Sequence, residues 1–234
     1  MTVVDPTDAD ALGAALAEAR RQVSFTSRTE WVTEAVREQI VEGLLKPGER
    51  LPEQKICVEL KVSRNTVREA MGQLVADRVL VREAHRGMFV ARPDKADIRD
   101  VYRARRVIET GVVRDLETVD PDRLAAVRVA VDEGRAALDE GEWHDLASAN
   151  QHFHRALVAL AGSRRLDQQM GLLLAEMRLV FHGMSGVREF HEPYLGRNAD
   201  ICDLLEKGEL AAAADAVAAY LDEAEQHLLA DYPD

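Results

Sequence analysis

Cysteine is almost missing from this chain. Cys57 and Cys202 are the only two in 234 residues and form no Cys-x-x-Cys pair. A disulfide-built scaffold is therefore excluded, and the economical setting is a reducing, cytoplasmic one, with both thiols acting as small core residues. Aromatics are also scarce, at 5%. No apolar run approaches the roughly 20 residues that cross a bilayer, so no membrane partner is expected. The N-terminal stretch is acidic early and lacks an uninterrupted apolar core, unlike a secretory signal. Phosphate-binding loops, cofactor motifs and nucleophile–base spacings are absent too, which argues against an enzyme. What remains is 47% apolar and 31% charged. That is a globular balance, and its wealth of Ala, Leu, Val, Arg and Glu favours helices.

The net charge of −12 argues at first against nucleic acid, but its distribution does not. Residues 26–93 carry 12 Lys and Arg against 10 Asp and Glu, whereas the rest of the chain carries 18 against 32. A mildly basic module is thus joined to a strongly acidic one. The acidic part repels a phosphate backbone and leaves the basic part to meet it.

The pattern divides the chain into an N-terminal extension (1–26), a first domain (27–93) and a second (94–234). Within the extension, residues 8–22 could form a short Ala-rich helix or be disordered. Ser27 with Glu30 suggests a capping box opening a helix with inward Trp31, Ala35, Ile40 and Leu44, stopped at Lys46-Pro47-Gly48. A short helix over 53–60 follows, and Ser63 caps another from Arg64 to about Asp77 with Val67, Ala70, Met71 and Leu74 inward. Two strand-like runs, 79–83 and 88–92, joined by 84–87, predict a small β-hairpin wing. Beyond Pro93-Asp94 the chain reads as helix over 95–117, 121–139, 143–161, 164–185, 196–207 and 209–229. The fold expected is mainly α: a winged helix-turn-helix followed by an antiparallel all-α bundle.

The sharpest motif is Ser63-Arg64-Asn65-Thr66-Val67-Arg68-Glu69-Ala70. A recognition helix enters the major groove by its N-terminal turns. Arg64 and Arg68, four apart, share one face and can each grip guanine O6 and N7. Asn65 suits adenine, and Thr66 suits a phosphate or a thymine methyl. Ordinary solvated arginines are the bland alternative. The surrounding stretch resembles the N-terminal domain of the GntR family. The resemblance rests on Gly43, Pro47-Gly48, Leu51 with Glu53, Val62-Ser63-Arg64, Val67-Arg68-Glu69-Ala70, Leu74, Arg86-Gly87 and Phe89-Val90. It implies base or backbone contacts by Arg64 and Arg68 and places Gly87 at a wing tip near the minor groove. It also implies a contact at position 54, where Gln54 stands in place of the Arg of some members. Arg86 touches phosphate or the minor groove on this reading, or is a free surface residue.

The acidic region resembles the FCD effector domain of the FadR subfamily at three places: Tyr102–Glu109, Phe153–Leu157 and Leu204–Leu210. Many members of that group hold a divalent metal with one Asp and three His. Alignment of the three stretches puts those positions at Asn150, His154, Asn198 and Tyr220. Only His154 is a good ligand, so no metal or other cofactor is expected. His182 and His191 lack motif spacing and read as surface or capping residues. Arg105 falls inside the apolar stripe Ile98, Val101, Ile108, Val112 and Leu116, and a buried Arg needs an anion. Glu109, one turn on, can supply it, as can the carboxylate or phosphate of a small effector. The resemblance favours the effector. Asn150, His154, Asn198, Tyr220 and, more weakly, Arg178 complete the candidate pocket.

The expectation is a homodimeric, sequence-specific regulator that binds double-stranded operator DNA and is controlled by a small, anionic metabolite. The alternative is a constitutive DNA-binding dimer whose helical domain has lost effector and metal binding.

Overall fold

The computed structural model describes residues 27–182 and 187–232. The expected N-terminal extension, with its Ala-rich stretch, lies outside them, as does the end of the helix expected over 164–185. The chain divides between Arg92 and Pro93 into two compact units.

The first unit begins with α1 (Arg28–Val41), whose first turn is capped by Ser27 Oγ accepting from Glu30 N at 3.0 Å. Gly43 ends the helix at φ +74°, a left-handed conformation that glycine adopts without Cβ strain. The helical period therefore stops short of Leu44. Expected inward, that residue is exposed, and Leu45 is buried in its place. β1 (Arg50–Leu51), α2 (Glu53–Leu60) and α3 (Arg64–Ala76) follow. The chain turns between α2 and α3 through Lys61 at φ +53°. Ser63 Oγ then accepts from Thr66 N and caps α3, which buries Val67, Ala70, Met71 and Leu74 as its period requires.

β2 (Leu80–Glu83) and β3 (Gly87–Val90) form the antiparallel wing, in register Leu80 to Val90 and Glu83 to Gly87. Two details differ from expectation. Gly87 begins the second strand rather than sitting in the loop, and β1 adds a third strand, giving the order β1-β3-β2. A two-residue strand carries no periodicity to read. It exists because Arg50 and Leu51 find β3 across space.

The second unit holds α4 (Lys95–Asp115), α5 (Pro121–Glu140), α6 (Trp143–Ala159), α7 (Arg164–His182), α8 (Val187–Glu206) and α9 (Leu210–Asp231). A reciprocal capping box opens α4: Asp94 accepts from Asp97 N while Asp97 accepts from Asp94 N. Pro121 stands at the start of α5 and Gly141, at φ +76°, ends it. α5 packs on α6 and α4 on α9, while α8 lies against α5, α6 and α9. One apolar core runs through all six helices and includes Tyr102, Val131, Phe153, Met177, Phe190 and Leu221.

α8 corrects the expected start at residue 196. It begins at Val187 and carries Pro193 inside it. Proline removes one helical hydrogen bond. Burial of Phe190, His191 and Tyr194 among Phe181 and Tyr220 offsets that loss, so packing overrides local propensity. Among the described residues no helix is long and apolar enough to cross a membrane.

Candidate functional site

α3 presents Arg64, Asn65 and Arg68 outward from its first turns, with Thr66 half-buried behind them. Each is partly engaged by the protein itself. Arg68 Nε lies 3.2 Å from Glu53 of α2, and Asn65 Nδ2 donates to Glu69 Oε1 at 2.7 Å. Thr66 Oγ1 shares a hydrogen with Ser63 Oγ at 2.8 Å. These contacts are solvent-exposed, so water or phosphate replaces them at little cost. Gln54 is exposed on α2. Arg86 pairs with Glu83 at the wing and lies over the Phe89 ring at 5.1 Å. Gly87 has φ +110°, a backbone region closed to most side chains. Its neighbour His85 takes φ +60°. The rigid core beneath comes from α1: Arg37 ties to Asp77 at the end of α3 at 2.6 Å, and Thr29 donates to Glu69.

In the second unit the structure brings five of the six candidate pocket residues into one buried chain of hydrogen bonds. Arg105 Nε donates to Glu109 Oε1 at 2.7 Å, and Glu109 Oε2 lies 2.6 Å from His154 Nδ1. His154 Nε2 is 3.2 Å from the Tyr220 hydroxyl, which is 3.0 Å from Asn150 Oδ1. Asn198 Nδ2 donates to the same Asn150 oxygen at 2.9 Å. Arg105, Glu109, Asn150, His154, Asn198 and Tyr220 are thus linked between α4, α6, α8 and α9. Arg178, the sixth, is buried outside the chain, with Nη2 3.4 Å from Ser148 Oγ.

Of the two partners open to Arg105, Glu109 is the one in contact. Burial works against the Arg105 charge, and Glu109 outweighs it, holding the guanidinium above its ordinary value. Burial pushes Glu109 up, but Arg105 and His154 together overcome that and hold the carboxyl below the usual glutamate value. The pair is an internal salt bridge with one loose end, because Arg105 Nη2 is buried without a partner.

His191 corrects the surface or capping role expected of it. Only 1% exposed, it sits edge-on to Phe181 and Phe190, and neither ring nitrogen has a partner. With Asn150 and Asn198 it makes the polar end of a cavity of about 10 Å³, closed by Leu195 over Gly134. Asn198 Oδ1 is also unpartnered there. The signal missed in the sequence was the period of α8. Read from Val187, it puts His191 on the same face as Asn198, two turns on.

The positions aligned with the metal ligands do converge, but their donor set does not fit a metal. It consists of one imidazole with both nitrogens engaged, two amides and a phenol whose pKa burial raises well above its ordinary value. Among the described residues no three His, Cys, Asp or Glu side chains form a metal set.

Both buried imidazoles resist protonation. Burial, with Arg178 adding, pushes His191 down to about 3. Burial also holds His154 below the usual 6.5, against the pull of Glu109 and with help from Arg105. The unfolded chain binds protons on both below about 6.5 while the folded chain does not, so their contribution is complete above that pH and is lost as pH falls. Glu109 acts in the same direction, its contribution disappearing as pH drops through its depressed folded value. Tm is therefore expected to fall continuously from pH 7 to pH 4, and His191→Phe to flatten that slope. A Tm independent of pH over this range would contradict the burial of these groups.

A capped helix presenting arginines beside a β-wing, joined to a helical bundle with a buried polar centre, defines a winged-helix transcription regulator with a ligand-sensing domain. Comparison with known proteins makes this specific. Residues 28–90 match the bacterial regulatory proteins of the gntR family, and residues 100–223 match the FCD domain. The chain belongs to the GntR family of DNA-binding transcriptional regulators, with an FCD effector-binding domain. It is 29% identical over 203 residues to BphR of Paraburkholderia xenovorans, an HTH-type transcriptional regulator, covering 82% of this chain and 80% of that one. YdhC of Bacillus subtilis is 29% identical over 133 residues, spanning 56% of this chain and 59% of its own length. A GntR regulator structure from Rhodococcus sp. RHA1 superimposes with a TM-score of 0.79 at 41% identity, covering 89% of this chain and all of the other.

Proposed function

We propose that this regulator binds a two-fold operator as a homodimer and changes its grip when a small anionic metabolite enters the core of the helical bundle. The observation that carries the effector reading is the set of buried polar atoms left without partners beside the Glu109–His154 chain. These are Arg105 Nη2, Asn198 Oδ1 and the two nitrogens of His191. Burying a polar group without a hydrogen bond costs on the order of 1–3 kcal/mol, so such a cluster is retained where a ligand answers it. Arg105 Nη2, which carries two N–H hydrogens, is the guanidinium nitrogen open to a carboxylate or phosphate oxygen, since Glu109 already holds Nε. His191 and Asn198 take the hydroxyl or amide groups of the same molecule. The cavity between them is small, so entry requires Leu195 to swing away from Gly134, and that movement of α8 couples occupancy to conformation.

On the DNA side, Arg64, Asn65 and Arg68 read base edges, Thr66 and Gln54 position the helix on the backbone, and Arg86 with Gly87 bring the wing to the minor groove. Two-fold symmetry of the protein demands matching half-sites in the operator. Val107, 72% exposed on α4 beside Gly111 and Leu166, supports the second copy as partner of the bundle.

The test is thermal unfolding of the full chain against a panel of small carboxylates and phosphates, followed by operator binding with whichever compound raises Tm. A true effector raises Tm with concentration by mass action and shifts operator affinity. Arg105→Lys keeps the charge and removes Nη2, and is expected to lose that response. A response unchanged in Arg105→Lys would eliminate this grip. A panel without any stabilising compound would favour the constitutive dimer.

A further inference from the structure

Four helices meet at one buried point, and this chain ties them there with its own side chains. We infer that the point is closed to divalent metals, and that the circuit Arg105–Glu109–His154–Tyr220–Asn150–Asn198 replaces a metal as the tie between α4, α6, α8 and α9.

The argument begins with hydrogens. Ionised Glu109 can only accept, so His154 Nδ1 must donate to it across 2.6 Å. A neutral His154 then has its lone pair on Nε2, turned to the Tyr220 oxygen at 3.2 Å, while the Tyr220 hydroxyl donates to Asn150 Oδ1 at 3.0 Å. Asn150 Oδ1 is served by Asn198 Nδ2 at 2.9 Å. Glu109 thus holds one nitrogen of His154 and the Tyr220 phenol stands against the other, so a cation reaching Nε2 would have to displace that phenol.

Charge leads to the same conclusion. Arg105 and Glu109 cancel, and the other four groups are neutral: burial keeps His154 unprotonated and Tyr220 a phenol. A divalent ion added here would leave its charge uncompensated in a core where a buried charge needs a partner. The amide at Asn150 fits the same account. A carboxylate at that position would add a negative charge to a centre whose Arg105 is already paired with Glu109, and a divalent cation would answer that charge where the neutral amide calls for none.

The closure is reversible by substitution. Asn150→Asp, Asn198→His and Tyr220→His together with His154 would place one carboxylate and three imidazoles where the circuit now stands, a set suited to zinc or nickel. The experiment measures the metal content of the purified full chain, then thermal unfolding with ZnCl₂, NiCl₂ or EDTA, in the wild type and the triple variant. Wild type is expected to carry no stoichiometric metal and to keep its Tm with either salt or with EDTA. The folded triple variant is expected to gain a Tm that rises with Zn²⁺ and falls with EDTA. Stoichiometric metal in wild type, with Tm lowered by its removal, would overturn the inference. A folded triple variant indifferent to Zn²⁺ would also do so, since the four positions would then not converge as described. Should the triple variant not fold, Asn150→Asp alone carries the test. Its Tm is expected to drop and to be partly recovered by Zn²⁺, and a drop that Zn²⁺ leaves untouched counts against the inference. None of these readouts involves an organic effector, so failure of the effector reading would leave them standing.

Discussion

Replacing Arg64 and Arg68 together by alanine is expected to weaken operator binding on the order of 10²–10³-fold and to leave the chain folded. Each arginine that forks onto a guanine contributes about 1–3 kcal/mol of discrimination, and about 1.4 kcal/mol is a factor of ten. The folded state has little stake in either side chain. Both are exposed, and the pair Arg68 makes with Glu53 at 3.2 Å is a surface pair worth about 0–1 kcal/mol. Capping by Ser63 and burial of Val67, Ala70, Met71 and Leu74 hold α3 in place independently of them. The operator is obtained by sequencing genomic fragments retained by the wild-type protein. Affinity is then compared at several salt concentrations, because lost phosphate contacts also flatten the salt dependence. A retained site with two matching half-sites supports the dimer. Wild-type affinity in the double variant would remove these two residues from the interface, whereas a fall in Tm would mean that the lost binding reports unfolding.

Glu109→Ala should be the most destabilising single substitution in the bundle centre. It leaves Arg105 charged and buried, and it also removes the acceptor for His154 Nδ1. Breaking a buried pair from one side costs about 3–5 kcal/mol, which for a chain of this size lowers Tm on the order of 10 °C. Glu109→Gln is expected to cost nearly as much, since it keeps the shape and loses the charge. Replacing both partners, Arg105→Met with Glu109→Leu, should recover more than half of the loss, because apolar groups need no compensation. Thermal or urea unfolding of the three variants decides the matter. A single-variant cost below about 1 kcal/mol would place another anion beside Arg105. A double variant as unstable as the single would make the hydrogen bond to His154, rather than the ion pair, the main contribution.

Local signals carried much of the fold. Ser63 before an apolar period predicted α3 and its buried face correctly, and the turn residues around 46–48, 141 and 208 divided the helices near their observed ends. Local signals failed where packing overruled propensity. α8 runs through Pro193 because Phe190, His191 and Tyr194 are buried together, and Leu44 turns outward because Gly43 ends α1 a residue earlier.

The sequence by itself determined the class of this protein. Capping residues and helical periods act over a few residues, and the basic-to-acidic change in charge is a sum along the chain, so a reader module and a helical bundle are legible in one dimension. It also limited the candidates for the bundle centre, since Arg105 falls inside an apolar stripe and the resemblance to the FCD domain aligns Asn150, His154, Asn198 and Tyr220 with one site. Only the tertiary structure decided which of them meet. Glu109 lies 45 residues from His154, and Asn150 lies 70 from Tyr220. Whether a buried arginine faces its own helix's glutamate or an open site depends on how four helices pack. That packing is set by the sum of many apolar contacts across the whole bundle, and no local pattern records it.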